Sequence, residues 1–344
     1  MTNITLSGNM IVKGSLVTLP GGAPETYWYA TLGGVENDYG RFQIARDTGG
    51  NIYVIGYTGS DGAGGNDFLI AKYNSSGVIQ WQRTLGGTGN DFGFGIAIDS
   101  TDNIYVAGFT DSDGEGGNDF LIAKYNSSGT IQWQRTLGGV DSDFGRGIAI
   151  DSTDNIYVVG YTDSDGAGDF DLLVAKYNAA GVIQWQRTLG GTGSDIGFGI
   201  AVDSTDNIYV VGYTDSDGAG GNDFLIAKYN SSGVIQWQRT LGGAGNDIGR
   251  GIAVDTSDNI YLQGSTDSSG EGLADLLLVK LPNDGSLTGV YGNLTYQAST
   301  LTDQVSTLTD QVSTLTDQAS TLTDQASTLT DQTSTLISTV TPIE

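Results

Sequence analysis

Cysteine and histidine are absent from the 344 residues, and lysine and arginine together number only 14. The chain therefore has no disulfide, thiol nucleophile or thiolate metal ligand, and no imidazole that could act as a base or bind zinc. The 40 acidic residues give a formal net charge of −26, which argues against a nucleic-acid partner and disfavours anionic membranes. Proline occurs only 4 times and glycine 54 times, which suits tight turns and crowded strands.

Long apolar runs are also missing. No segment of the sequence reaches the length that a membrane span requires, so we expect no membrane insertion. The first residues, MTNITLSGNMIVKGSLV, lack the basic start and the continuous apolar run of a signal peptide. We therefore expect no secretion by a signal peptide.

A block of 52 residues recurs through most of the chain. Trp81, Trp133, Trp185 and Trp237 are each 52 residues apart, and Trp28 stands 53 residues before Trp81. Each block contains four strand candidates, and such a unit is typical of a β-propeller blade. In the second repeat the candidates are Gly95–Asp99, Asn103–Thr110, Asp119–Tyr125 and Thr130–Leu137.

Five innermost strands predict an all-β five-bladed propeller with four-stranded blades over residues 26–292. Near its end, Gly289 stands where the other repeats carry tryptophan. We therefore expect the N-terminal Trp28 strand to complete the last blade and close the ring, which would remove exposed strand edges. Residues 1–25 are predicted to form a short β-rich arm for assembly or anchoring. The predicted innermost strands are Phe42–Asp47, Phe94–Asp99, Arg146–Asp151, Phe198–Asp203 and Arg250–Asp255.

Residues 293–344 change to a seven-residue period. Leucine recurs every seven residues from Leu294 to Leu336, and valine, alanine or threonine lies four residues after each leucine. This spacing predicts an α-helical coiled coil with leucine at position d. A single helix rich in serine and threonine would be marginal. We therefore expect a homo-oligomer, a dimer or a trimer, through the heptads Leu294–Val340.

The repeat TxDNIYVxGYT…DFLIAKYN…G.IQWQRTLGG resembles the bacterial β-propeller repeat family of extracellular and surface proteins over residues 28–285. The resemblance implies a fold and a surface-exposed setting, and it implies no reaction. The order of arm, propeller and coiled coil is similar to that of tail-fibre and appendage proteins of tailed bacteriophages. This second resemblance implies an N-terminal arm that binds other virion proteins, a trimeric shaft and a virion location.

Acidic loops between the second and third strands are the first candidate site. An Asp-x-Asp-Gly segment can wrap calcium, since hard cations need several oxygen ligands. The loops lack the further ligands of an EF-hand, and a simple Asp-Gly turn is the alternative interpretation. The candidate calcium ligands are Asp111, Asp113, Asp119, Asp163, Asp165, Asp171, Asp215, Asp217 and Asp223.

The repeated tryptophans are the second candidate site. Sugars stack on exposed indoles, and the five-bladed tachylectin-type lectins bind one sugar per blade, whereas packing between blades is the alternative. The candidate ligand-binding residues are Trp28, Trp81, Trp133, Trp185 and Trp237. A third candidate site is a row of residues on the innermost strands, which either binds a ligand in the central channel or fills that channel. The row consists of Phe42, Phe94, Arg146, Phe198 and Arg250.

No acidic residue breaks the repeat pattern as a catalytic carboxylate pair would, so we expect a protein that is not an enzyme. The sequence predicts a phage tail fibre or virion appendage that binds a host surface glycan or protein through many weak contacts. The alternatives are a bacterial secreted or surface adhesin or lectin and, less favoured, a glycan-active enzyme. No cofactor other than calcium is expected.

Overall fold

The computed structural model describes residues 9–12, 15–18, 30–270, 272–313, 315–319 and 323–326, and every regular element among them is a β-strand. In this described part of the chain, no helical segment has the length and apolar character needed to cross a bilayer. Strands β1 (Asn9–Val12) and β2 (Ser15–Thr18) pair with each other as an antiparallel hairpin. Strand β3 (Ala30–Gly33) follows and leads into the repeats.

Each repeat forms one antiparallel sheet, and we call these sheets units 1 to 5. The four predicted strands per repeat are confirmed in units 1 to 4, where consecutive strands pair in chain order. Unit 1 contains β4 (Asp38–Arg46), β5 (Ile52–Thr58), β6 (Asp67–Tyr73) and β7 (Ile79–Gly86). Unit 2 contains β8 (Asp91–Ile98), β9 (Ile104–Thr110), β10 (Asp119–Tyr125) and β11 (Ile131–Gly138). Unit 3 contains β12 (Asp143–Ile150), β13 (Ile156–Thr162), β14 (Asp171–Tyr177) and β15 (Ile183–Gly190). Unit 4 contains β16 (Asp195–Val202), β17 (Ile208–Thr214), β18 (Asp223–Tyr229) and β19 (Ile235–Gly242). Unit 5 contains β20 (Asp247–Val254), β21 (Ile260–Thr266) and β22 (Asp275–Leu281).

The innermost strand of each of units 2 to 5 carries a β-bulge between two glycines, whereas in unit 1 the register shifts between Gly40 and Ile44. In β8 the register shifts between Gly93 and Gly95, which leaves Phe94 as the extra residue. A Cβ atom on Gly93 would lie 2.7 Å from Ile55 Cγ1 of unit 1, so glycine at this position permits the close approach of neighbouring sheets.

The predicted coiled coil is wrong, because the described residues of the heptad segment are strands. After β23 (Gly289–Tyr291), this tail forms β24 (Leu294–Ala298), β25 (Thr302–Val305), β26 (Thr309–Val312), β27 (Thr316–Ala319) and β28 (Thr323–Ala326). Strand β24 pairs with β19, β25 with β15, β26 with β11, β27 with β7, and β28 with β3. The tail thus visits the units in descending order and adds a fifth strand to each of units 1 to 3.

The predicted five-bladed ring, closed by the Trp28 strand, is also wrong. Strand β3 pairs with the tail strand β28, and β22 of unit 5 pairs only with β21 among the described strands. The pair β3–β28 is part of a further unit, so the chain holds strands of more than five units. Trp28 itself lies outside the described residues.

Among the described residues, four hydrophobic cores hold the stack together, and each lies between consecutive units. Tail leucines complete three of them: Leu315 lies in the core of units 1 and 2, Leu308 in that of units 2 and 3, and Leu301 in that of units 3 and 4. The core between units 4 and 5 contains Leu294 and Tyr296. Burial of these leucines, rather than a helical seam, explains the seven-residue leucine period.

Candidate functional site

The acidic loops lie where three parts of the protein meet: their own unit, the neighbouring unit and the tail. The first acid of each loop bonds to its surroundings or faces solvent. The carboxylate of Asp111 accepts hydrogen bonds from the backbone and side-chain amides of Asn90, and that of Asp215 accepts one from the backbone of Ser194. Asp163 is exposed.

The second acid of two loops binds the tail. Asp165 Oδ2 accepts a hydrogen bond from the backbone nitrogen of Thr307 at 2.6 Å, and Asp217 Oδ2 accepts the equivalent bond from Thr300 at 2.6 Å. The threonine hydroxyls also donate to the same oxygens, at 3.3 and 3.2 Å. These carboxylates therefore hold the tail against units 3 and 4. Sequence reasoning missed this role, although each threonine directly precedes a tail leucine.

The third acid is buried and faces an aspartate of the next unit. A Cβ atom on Gly138 would lie 1.7 Å from Asp119 Oδ1 and 2.9 Å from Asp143 Oδ2, so both carboxylates point at one spot. The Oδ1 atom of Asp119 accepts no hydrogen bond from any described residue, and the same is true at Asp171 and Asp223. Burial, with a smaller contribution from the Asp143 charge, raises the pKa of Asp119 to about 8.

Among the described residues, no group of three or more acidic side chains could hold a metal ion. The loops direct their carboxylates to different partners: a neighbouring amide, the tail, and a second buried aspartate. The candidate calcium ligands are therefore not brought together around one point.

The described tryptophans lie at the joints between units. Trp133 Nε1 donates a hydrogen bond to the Ala179 carbonyl of unit 3 at 3.2 Å, and the Lys124 ammonium reaches the same oxygen at 3.3 Å. Arg135 Nε donates to the Gly181 carbonyl at 2.8 Å. We call this set of contacts the turn clamp. The same clamp is formed by Trp81, Lys72 and Arg83 and by Trp237, Lys228 and Arg239, and Trp185 and Lys176 make the corresponding bonds to the Ser231 carbonyl.

Glycine at the end of each clamped turn is required on two grounds. Gly181 has φ +73°, a left-handed conformation that other residues rarely adopt. A Cβ atom there would lie 2.7 Å from Trp133 Cδ2, inside the indole ring's contact distance. The indole is therefore packed face-on against backbone of the next unit.

One indole also borders a pocket. Trp185 is half-buried, and an indentation of about 300 Å³ lies beside it where the tail crosses β15. Exposed Gln184 and half-buried Arg187 give this pocket polar groups next to the indole. The lining residues are Ile183, Gln184, Trp185, Gln186, Arg187, Val305 and Ser306.

The bulges of the innermost strands carry a row of alternating arginines and aromatic rings. The guanidinium carbon of Arg146 lies 4.3 Å from the ring centre of Phe94, and that of Arg250 lies 4.9 Å from Phe198. In unit 1 the neighbouring Arg41 lies 5.0 Å from the Phe94 ring centre and donates a hydrogen bond to Tyr57 Oη. The side chain of the predicted Phe42 lies outside the described part of the structure. The described side chains of this row thus pack on one another.

The repeats that form these contacts match two known families of β-propeller repeat. The family described as "Beta-propeller repeat" matches residues 80–115, 132–166, 184–218 and 236–271. A beta-propeller family described as a domain of unknown function (DUF5122) matches residues 50–79, 100–131 and 204–235. These matches, together with the all-β sheets, show that the chain is a β-propeller repeat protein.

Two curated proteins are similar to parts of the chain. The "Uncharacterized WD repeat-containing protein L264" of Acanthamoeba polyphaga mimivirus is 25% identical over 240 residues, which is 51% of this chain and 17% of that protein. The "Regulatory protein FlaEY" of Caulobacter vibrioides is 30% identical over 118 residues, which is 30% of this chain and 12% of that protein. This chain therefore spans only a small part of either relative's length.

Solved structures resemble the chain only distantly. A protein of unknown function from Bacteroides caccae aligns with TM-score 0.40 and 12% identity, over 70% of this chain and 77% of that one. A GH43_12 protein from a capybara gut metagenome aligns with TM-score 0.33 and 10% identity, over 77% of this chain and 58% of that one. Neither likeness bears on function.

Proposed function

We propose that this protein is a non-enzymatic attachment protein, which binds a host surface glycan through several weak, equivalent sites. The pocket beside Trp185 is the observation that carries the proposal. A half-buried indole next to amide and guanidinium groups suits a sugar, which offers an apolar ring face and many hydroxyls. The same residue types recur beside Trp133, where Gln132, Arg135 and Val312 take the corresponding positions.

Repetition is central to this proposal, because a shallow pocket gives little affinity alone. Several equivalent sites on one chain make the later binding events intramolecular and raise the overall avidity. The acidic side chains favour the same interpretation. Their carboxylates are occupied with the tail, with neighbouring amides or with one another, and are not poised over a cleft as catalytic acids would be.

A glycan array with the full-length protein, followed by a series of glutamine variants, tests the proposal. We use Gln184 and its equivalents because the tryptophans also hold the turn clamps. Gln184→Ala alone should lower the apparent affinity only about 2- to 3-fold, whereas the triple variant should lose roughly 10- to 30-fold, because avidity multiplies the losses. The triple variant is Gln132→Ala, Gln184→Ala and Gln236→Ala.

Val140→Ala, in an exposed loop away from the pockets, is the matched control and should bind as the unchanged protein does. Absence of binding to any glycan, or equal losses in the single and triple variants, would reject the proposal.

We further propose that the protein works on a virion, as a tail fibre or appendage of a tailed bacteriophage, with residues 1–25 bound to other virion proteins. A bacterial cell surface is the alternative setting. The helical shaft that favoured a fibre is not formed by the described tail, so this setting rests on the succession of a short N-terminal segment and a repeat domain. Gold-labelled antibodies distinguish the two, since label on phage particles supports the first and label confined to cell surfaces the second.

A further inference from the structure

Unit 5 has an uncovered apolar face and an unpaired strand edge. Leu276 and Leu278 are 77% and 68% exposed, whereas Phe224 and Ile226, at the same positions of unit 4, are both 0% exposed. Strand β22 has no partner on its outer side among the described strands. Edges and faces of this kind are templates for association with another sheet.

Unit 1, at the other end of the stack, also has exposed apolar residues, and it lies next to an incomplete sheet. Ile44 of unit 1 is 70% exposed, although Ile96, its equivalent in unit 2, is 4% exposed. Ile52 and Val54 on the same side of unit 1 are only half-buried. Strands β3 and β28 form a separate two-stranded sheet next to unit 1 in the chain.

The joints inside the chain show how these two ends fit together. Between units 4 and 5, Ile226 of the earlier unit shares a core with Ile260 and Leu262 of the later unit. Ile52 and Val54 are the unit 1 equivalents of Ile260 and Leu262, so they form the surface that matches Leu276 and Leu278. In addition, the three strands of unit 5 and the two strands β3–β28 together make the five-stranded sheet seen in units 1 to 3.

We propose that a second copy of this chain docks on unit 5, head to tail. The β3–β28 pair of the second copy extends the sheet at the edge of β22, and its unit 1 covers Leu276 and Leu278. The interface is heterologous, because the two copies use different surfaces, so the association continues into short chains of molecules. A second copy is the fitting occupant because only another repeat unit reproduces the internal joint.

This contact should be weaker than an internal joint. Inside the chain, Thr48 of unit 1 bonds to the Asp102 carboxylate of unit 2, but the position equivalent to Asp102 in unit 1 is Gly50. Gln263 likewise stands in unit 5 where Val211 lies in unit 4. The docked ends therefore lack one polar link and part of the apolar core, and we expect reversible, concentration-dependent association.

Sedimentation velocity of the full-length protein over a range of concentrations tests the proposal. The unchanged protein should shift from monomer to dimer and larger species as its concentration rises. The variant Leu276→Lys/Leu278→Lys and the variant Ile44→Lys should each remain monomeric alone. All three side chains are mostly exposed, so the variants should fold. Val140→Lys, at a residue 76% exposed elsewhere, is the control and should associate normally.

Mixing the two blocked variants is the decisive step. Each has one intact end, so the mixture should form a dimer and nothing larger. Three results would overturn the proposal: an unchanged protein that is monomeric at every concentration, association that persists in both variants, or association lost only in the Leu276→Lys/Leu278→Lys variant. Glycan binding by the monomeric variants is measured in parallel, so failure of one proposal is separable from failure of the other.

Discussion

At the scale of single residues, the repeated lysine, tryptophan and arginine side chains bond to backbone of the neighbouring unit. Lys124, Trp133 and Arg135 of unit 2 direct their donors at two carbonyl groups of one turn in unit 3. Each such bond contributes about 1 kcal/mol, and the packed indole adds more. The clamp therefore explains why lysine, tryptophan and arginine keep their spacing from repeat to repeat.

Sequence reasoning could place these residues at equivalent positions but could not give them partners. The alternative of packing between units was open for Trp81, Trp133, Trp185 and Trp237, yet nothing in the sequence pairs an indole with a turn 46 residues further on. The polar partners of Asp165 and Asp217 could not be predicted from the sequence either, because they lie in the tail. Contacts between segments that are distant in sequence depend on the path of the chain, which periodicity alone does not reveal.

The buried aspartates predict an unusual dependence of stability on pH. Burial raises the pKa of Asp67 and Asp171 to about 7, of Asp119 to about 8 and of Asp223 to about 6. A carboxyl group with a raised pKa binds its proton more tightly in the folded state. Its contribution to stability is fully present below the unfolded pKa of about 4 and is lost as pH rises through the folded pKa.

We therefore expect the melting temperature to fall between pH 5 and pH 9. Asp119→Asn removes a titrating group, so it should flatten the profile and raise the free energy of unfolding at pH 9 by roughly 2 kcal/mol, the scale of one buried group left unsatisfied. Asp163→Asn, at an exposed loop position, is the control and should keep the slope. Calorimetry at five or six pH values makes the measurement, and an Asp119→Asn protein less stable than the parent at pH 9 would refute the argument.

A second group of aspartates makes the folded state less stable at acidic pH. Against the upward effect of burial, hydrogen bonds from Asn103 and Thr101 lower the pKa of Asp99. In the same way, hydrogen bonds from Asn207 and Thr205 outweigh burial and lower the pKa of Asp203 to about 2. The stability that these carboxylates contribute is present above about pH 4 and is lost as pH falls below it. Maximal stability should therefore lie near pH 4 to 5.

At the scale of elements, the tail shows why a seven-residue period is ambiguous. A heptad with leucine is typical of a coiled coil, but a four-residue strand followed by a three-residue connection also spans seven residues. Threonine favours strands and serine is a poor helix former, so propensity agreed with the second interpretation. The strands of the repeats, by contrast, could be predicted well, because alternating β-branched and aromatic residues bounded by Asn-Ser-Ser-Gly turns have few other solutions.

The tail strands also form polar contacts with the units that the helical interpretation did not predict. Asp310 and Asp303 accept hydrogen bonds from the hydroxyl groups of Tyr177 and Tyr229 at 3.0 and 3.1 Å. Gln186 donates from its side-chain amide to the Leu308 carbonyl at 2.9 Å. Each heptad thus carries a polar residue for the sheet and a leucine for the joint.

A pair of tail substitutions separates the two interpretations. Leu308 is buried in the joint between units 2 and 3, whereas Val312 is exposed on the tail strand. Leu308→Ala should cost about 3 kcal/mol of unfolding free energy, because it removes a buried side chain, whereas Val312→Ala should cost less than about 0.5 kcal/mol. Urea unfolding followed by circular dichroism measures both. In a coiled coil both positions would lie in the seam, so equal losses would contradict the strand arrangement.

At the scale of the whole molecule, the described units form a stack in which each sheet packs on the next and the tail pairs with the units in reverse order. Stability in such a stack is close to a sum of unit terms and joint terms. The net charge of −26 keeps copies apart by repulsion, so association through the two ends should strengthen as salt screens that repulsion. The stack and the tail must stay in register, because each heptad meets one particular sheet.

This register leads to a prediction about deletion of a unit. Removal of residues 143–194 takes out unit 3 and brings Ser142 directly before Asp195, the equivalent of Asp143. Removal of Thr302–Leu308 at the same time takes out the heptad that pairs with unit 3, so that β26 again follows β24 in step with units 2 and 4. The double deletion should therefore fold cooperatively, with a free energy of unfolding lower by about the contribution of one unit and its joint.

Deletion of residues 143–194 alone leaves one heptad too many, shifts every later tail strand by one sheet, and puts β25 on unit 2. Because the heptads are similar in sequence, that protein should still pair its tail, but β27 would take the place of β28 on β3, and the amides of the unpaired β28 would exchange faster. Hydrogen exchange measured by mass spectrometry on both deletions makes the comparison, and equal protection of β28 in the two proteins would contradict a tail set in register with the units.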